Sequence, residues 1–338
     1  MIKQAVKKSI ELLPLQVIST LVKRDMLGIY YHMISDEVLP HVKYLYRYKS
    51  PKQFELDLQY LAKNFNVIGY DMLSDHQKLG SRLKPKSILV TFDDGLAECY
   101  SFARPLLLKY GIPCTFFITT DYINNRAMAS DLAFSLCIEK ITKLPESQVA
   151  HILNDIDNNF SIPISDQRTF KEWLTANIEN EFVIDFVCNI FEIDLQEFLA
   201  TQRPYMTLDE IRQLYDDGFT IGAHSTRHKR MNTLTIDEVI DAIITSCTII
   251  HTAMGSKEVP FAFPHSADGV SRQILRDLYE RQSLVGLYFD THGIRRSESY
   301  IISRLCGDST KKSNPHNSNL SFLLKHAYIE ELFETLAA

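Results

Sequence analysis

The chain has 338 residues, 45% of them hydrophobic, 23% charged and 11% aromatic, and carries a formal net charge of −6. That is enough for one large globular domain or two modest ones. The acidic balance, without any Lys/Arg-rich block interleaved with aromatics, sets aside a nucleic-acid surface, and no apolar run is long enough to predict a membrane span.

Residues 1–26 start with lysines and continue into an apolar stretch interrupted by Glu11, Pro14 and Gln16. No small-residue cleavage site follows, and Ile10, Leu13, Val17 and Leu21 fall near helical spacing, so an amphipathic helix is expected and not a secretion signal. Such a helix docks on its own domain or makes peripheral contact with a membrane surface. The expected location is therefore cytoplasmic or membrane-peripheral. Cys99, Cys114, Cys137, Cys188, Cys247 and Cys306 form no CxxC pair and read as buried free thiols of a reducing compartment.

From residue 27 onward, apolar runs alternate with amphipathic stretches. Leu27 to His32 predicts a strand that ends at a histidine. Ser50 is positioned to cap a helix over 51–65 with Phe54, Leu58 and Leu61 on one face. Ser87 to Phe92 is a continuous apolar strand running straight into Asp93-Asp94-Gly95; a helix over 98–110 is stopped by Gly111, and Cys114 to Thr119 is a second buried strand. The same rhythm returns as helix 207–217, strand 219–223, helix 235–254, strand 259–263, helix 271–281 and strand 284–289. Short joints between strand and helix predict parallel βαβ units. Residues 126–205 hold helical segments with few strand-like runs, so they are expected to form a helical insertion in an α/β, barrel-like domain over 27–338.

Two motifs carry chemistry. Thr91-Phe92-Asp93-Asp94-Gly95 sets two adjacent carboxylates directly after a buried strand, the end at which parallel α/β sheets and barrels bind ligands. Asp-Asp-Gly is also ordinary turn chemistry. His224-Ser-Thr-Arg-His228 follows another apolar strand, and in a helical turn its two imidazoles would face one side and could grip one metal. Together the motifs supply a 2-His-1-carboxylate set with open coordination positions, plus a second carboxylate able to act as general base. A Lewis-acidic ion polarises a carbonyl and acidifies water, so hydrolysis of an amide or ester is expected.

Thr-Phe-Asp-Asp-Gly, then His224-Ser-x-x-His228, then Phe261-Ala-Phe-Pro264-His265 resembles the polysaccharide deacetylase family, also called the NodB-homology or carbohydrate esterase family 4 domain. The resemblance implies a distorted (β/α) barrel, Asp93 as catalytic base, and Asp94, His224 and His228 as ligands of a divalent metal. Zn²⁺ is the expected ion, with Co²⁺, Ni²⁺ and Fe²⁺ also suited to the donors. His265 is implied to offer its main-chain N–H to the oxyanion. The family's C-terminal Leu-x-His, source of the catalytic acid, has no good counterpart; His292 is the nearest. Tyr30-Tyr31-His32 resembles the element of the circularly permuted poly-N-acetylglucosamine deacetylase branch, in which this N-terminal histidine serves as the acid. Arg304 is a candidate to orient Asp93. The implied partner is an N-acetylated amino sugar, free or in a polysaccharide or glycoconjugate, in surface polysaccharide biosynthesis or modification. A catalytically inactive carbohydrate-binding protein of this fold, or an amidohydrolase or deformylase on a nucleotide- or lipid-linked sugar, is the alternative.

Overall fold

A computed structural model describes residues 13–22, 26–295, 297–309 and 318–335. The helix expected over 1–26 is seen as α1, Leu15–Val22, the rest of that stretch lying outside the described residues apart from Leu13, Pro14 and Met26. Next come β1 (Met26–Tyr31), α2 (Pro51–Asn64), β2 (Asn66–Val67), α3 (Tyr70–Leu79) and β3 (Ser87–Phe92). They are followed by α4 (Arg104–Tyr110), β4 (Thr115–Ile118), α5 (Ser130–Lys143), α6 (Glu146–Phe160), α7 (Gln167–Ala176), α8 (Glu181–Ile190) and α9 (Leu195–Gln202). The chain continues with α10 (Leu208–Asp216), β5 (Thr220–Ala223), α11 (Ile236–Met254), β6 (Val259–Ala262), α12 (Arg272–Arg281), β7 (Val285–Asp290), β8 (Ile301–Cys306) and α13 (Leu320–Thr335).

The strands lie in the order β1-β8-β7-β6-β5-β4-β3-β2, all pairings parallel, and an additional β1–β3 pairing closes the ring. Seven strands therefore make a closed parallel barrel, and β2 lies against the start of β3. The all-buried sequences of β3, Ser-Ile-Leu-Val-Thr-Phe, and β7 suit strands covered on both faces. Ser50 caps α2 in a full capping box, its hydroxyl accepting from Gln53 N–H.

The helix expected over 98–110 departs from a regular α-helix. Its first turn, Cys99–Ala103, is a π-turn, and only Arg104–Tyr110 is α. Pro105 has no N–H to give to the carbonyl four residues back, and the Arg104 N–H bonds the Cys99 carbonyl five residues back instead. Strand β8 and helix α13, which the alternation does not predict, complete the barrel and pack Leu324 and Tyr328 into its core.

The chain divides into two compact units. One gathers the described residues of Met1–Asp36, Tyr48–Ile123 and Tyr205–Ala338, and contains the barrel. The other consists of Glu37–Arg47 and Asn124–Pro204 and contains α5 to α9. Its own core is built on Phe134, Cys137, Leu153, Phe170 and Cys188. Glu37–Arg47 belongs to it through hydrogen bonds: Ser135 Oγ donates to the Pro40 carbonyl at 2.6 Å, and Lys43 Nζ and Tyr44 OH both donate to Glu139. No cysteine is in a disulfide.

Candidate active site at the barrel rim

The residues singled out by the motifs sit where β1, β3, β5, β6 and β8 end, on one rim of the barrel. Asp93 and Asp94 directly follow β3. The Gly95 N–H bonds back to the Asp93 carbonyl at 3.0 Å while Asp94 holds φ 73°. That is a γ-turn, a sparsely populated conformation for a non-glycine residue, and a strained backbone of this kind persists only where its surroundings fix it. The Asp93 N–H, bonded to the Tyr31 carbonyl at 2.9 Å, is one such constraint.

His224 follows β5, and its N–H bonds the Ile118 carbonyl at 2.9 Å. The expected helical turn to His228 does not form. Ser225 and His228 adopt left-handed backbone, φ 62° and 55°, and Ser225 Oγ accepts the His228 N–H at 3.0 Å. The loop is braced from outside by Thr120 N–H on the Ser225 carbonyl and Tyr122 OH on the Arg227 carbonyl. The imidazoles still converge: both Nε2 atoms face Asp94 Oδ1, at 3.4 Å from His224 and 3.2 Å from His228.

These three groups fit a metal cation. His224 Nδ1 lies 2.9 Å from the Ala262 carbonyl, which can only accept, so that nitrogen carries the proton. Nε2 can then either donate to the Asp94 oxygen or present a bare lone pair to it, and in the second case a cation between the two would remove the repulsion. One ligand atom from each of Asp94, His224 and His228 lies within 4.8 Å of the others, and the N₂O set suits a divalent transition ion. Burial would raise the Asp94 carboxyl, but His228 and His224 hold it well below the usual carboxylate range.

Asp93 points the other way, into the barrel. Arg304 on β8, fully buried, grips it with both arms: Nη1 donates to Oδ1 at 2.6 Å and Nη2 to Oδ2 at 2.8 Å. Nη1 also donates to Thr91 Oγ1, and the guanidinium lies over the rings of Tyr30 and Phe117. Room for it depends on Gly28 of β1, where a Cβ would come within 2.6 Å of Arg304 Cγ. Gly28→Ala is expected to cost about 1–3 kcal/mol by overpacking and to disturb the Asp93 grip, read as a lower Tm together with lost activity.

His32 follows β1. Its Nδ1 donates to Asp308 Oδ2 at 2.5 Å, and its main-chain N–H reaches the same oxygen at 3.2 Å. Burial pulls its pKa down, but the Asp308 bond and charge, helped by Asp94 and Asp93, more than offset this and leave it at about 9. His265, beyond β6, sits at φ 59° in a second γ-turn closed by Ser266 N–H on the Pro264 carbonyl. Its ring lies 5.0 Å from that of His228, and burial drives its pKa down to about 3, keeping the imidazole neutral. His292 is held differently. Its two nitrogens face carboxylates, Nδ1 to Asp290 and Nε2 to Asp268, and although burial pulls its pKa down, these bonds and charges raise it above the ordinary imidazole value.

Two carboxylates were not anticipated from the sequence. Asp308 anchors His32, and buried Asp290 accepts from the Ala267 and Thr291 N–H groups while Thr291 Oγ1 holds the His265 carbonyl. Asp290 ends β7 and Asp308 lies two residues beyond β8, at the same rim as Asp93, and that shared position was the signal available.

A closed parallel barrel bearing an Asp–His–His cluster and an Arg-held second aspartate on its C-terminal rim defines a candidate hydrolase centre. The sequence model of the polysaccharide deacetylase family matches residues 80–155 and 189–282, and the chain belongs to that family. A putative polysaccharide deacetylase, YxkH of Bacillus subtilis, is 35% identical over 80 residues, a match that spans 22% of this chain and only 27% of the relative. The fold resembles the Streptococcus pyogenes deacetylase PplD in complex with acetate, with TM-score 0.55, 12% identity, and 89% of this chain and 97% of that one covered. It also resembles IcaB from Ammonifex degensii, with TM-score 0.53, 16% identity, and coverage of 90% and 98%. The matched family segments contain Asp93, Asp94, His224, His228 and His265; His32, Arg304 and Asp308 lie outside them.

Proposed function

We propose that the protein is a metal-dependent carbohydrate de-N-acetylase that cleaves the acetamido group of an amino sugar in a polysaccharide or glycoconjugate, in surface polysaccharide biosynthesis or modification. The observation that carries this reading is the meeting, on one barrel rim, of the Asp94–His224–His228 donor set with a second carboxylate, Asp93, fixed by Arg304. Those three residues would hold the ion, Zn²⁺ by preference with Co²⁺, Ni²⁺ or Fe²⁺ as substitutes, and when bound it polarises the acetyl carbonyl and acidifies water.

The remaining chemistry belongs to the side chains. Asp93 takes the proton of the attacking water on a carboxylate lone pair that the Arg304 fork leaves open. The His265 main-chain N–H faces the developing oxyanion, a contribution typically worth about 2.7–4 kcal/mol. His32, with Nδ1 held by Asp308, delivers a proton from Nε2 to the departing nitrogen. The amide C–N bond breaks, acetate leaves, and the sugar keeps a free amine. His292, with both nitrogens committed to carboxylates, suits the acid's role less well.

Acetate release from N-acetylglucosamine oligomers, compared with nucleotide-linked and lipid-linked N-acetylglucosamine, tests the reading. Release from oligomers supports it; metal binding with release only from a linked monosaccharide would move the substrate to that class, and no release from any of them would reject the activity. The acid assignment has its own pH signature. His32 is protonated below about 9, so kcat is expected to fall as pH rises through that range. Asp308→Asn removes the carboxylate that sustains the proton, burial then dominates, and the falling limb should move down by about a unit or more. An unmoved limb would take the acid's role from His32. The same pair stabilises the fold below the unfolded pKa of about 6.5, and this contribution disappears as pH climbs through about 9.

A further inference from the structure

At the opposite end of the barrel, where β1 and β3 begin, a cavity of about 490 Å³ opens between α1 and the loop after α3. Its lining mixes apolar side chains, Leu15, Leu27, Phe65 and Tyr328 among them, with polar ones such as Ser19, Thr20 and Asn64. The charged side chains that line it are Arg82, Lys84 and Lys86, and no carboxylate does. In a chain of net charge −6, three exposed cations on one short loop are a local reversal of sign.

The surface beside the cavity is apolar in a patterned way. Helix α1 buries Ile18 in the core, yet Val17 and Leu21 on it are 43% and 55% exposed, and Leu13, four residues before Val17 and just ahead of the helix, is 36% exposed. Leu79, at the end of α3 just before the cationic loop, is 75% exposed. A soluble face has no need of an apolar stripe at helical spacing flanked by unbalanced cations; an interfacial helix beside a basic patch has this combination.

We infer that this end of the barrel docks on an anionic membrane surface. Leu13, Val17, Leu21 and Leu79 enter the headgroup–acyl boundary, while Arg82, Lys84 and Lys86 meet lipid phosphates. The catalytic rim, at the other end of strands of six residues, then faces away from the bilayer by roughly 20 Å.

Flotation of the full chain with phosphatidylglycerol-containing vesicles, with pure phosphatidylcholine vesicles as comparison, tests this without reference to catalysis. Binding is expected to the anionic vesicles alone and to disappear in high salt. The triple variant Arg82→Gln, Lys84→Gln, Lys86→Gln should lower the partition coefficient by about fivefold per cation, roughly a hundredfold in all. Val17→Ser with Leu21→Ser should also lower it, and an unchanged thermal midpoint in both variants shows that they remain folded. Equal binding to neutral vesicles, no binding to anionic ones, or a triple variant that floats like the parent would overturn the inference. So would self-association abolished by the Val17/Leu21 variant, which would assign the stripe to a second copy of the chain.

Discussion

Asp93→Asn is expected to slow acetate release by about 10²–10⁴-fold, the usual contribution of a positioned general base, while metal content stays that of the parent. It should also destabilise the protein by about 3–5 kcal/mol, because the fully buried Arg304 loses its counter-charge. Denaturant titration beside steady-state kinetics reads both effects. Arg304→Met should destabilise similarly by leaving Asp93 uncompensated. Combining the two should restore much of the stability and none of the rate. That non-additivity separates a buried pair from two independent contributions. Arg304→Lys keeps the charge but loses the two-armed grip, and should recover little activity. Additive stability losses in the double variant would mean that the pair does not act as a unit.

The second large effect is expected at the metal ligands. His228→Ala leaves one imidazole and one carboxylate, so bound metal measured by elemental analysis should fall to background and acetate release with it. Thermal unfolding gives an independent reading. A ligand that binds only the folded state stabilises it by about 2.7 kcal/mol at a hundred times its Kd. Added Zn²⁺ should therefore raise the Tm of the parent and leave that of His228→Ala and Asp94→Ala unmoved. A zinc-dependent Tm shift that survives both substitutions would assign the metal to other residues.

Most of the barrel is written in local pattern. Continuous apolar runs such as Ser87–Phe92 separated by amphipathic stretches specify parallel strands covered by helices, and the two acidic and histidine motifs fall at strand ends as that architecture requires. What could not be read is long-range. Asp308 has meaning only because β8 pairs with β1 and brings it to His32, 276 residues earlier. Arg304, by contrast, is a candidate to orient Asp93 from the sequence alone, and the same closure is what brings the two together. Glu37–Arg47 reads as a connection after β1, and only its bonds to Ser135 and Glu139 assign it to the helical unit. The convergence of His224 and His228 was legible, but its means was not: left-handed residues at Ser225 and His228 produce it, conformations that their residue types do not announce.

Strand β8 carries Arg304 and leads directly into Asp308, so it supplies the anchors of both proton-handling residues, whereas the three candidate metal ligands come from β3 and β5 alone. A growing chain therefore contains every candidate metal ligand by position 228, whereas both anchors are added only with residues 301–308. Under the proposed function, proton transfer would therefore depend on closure of the ring by β8, a strand that supplies none of the three candidate metal ligands.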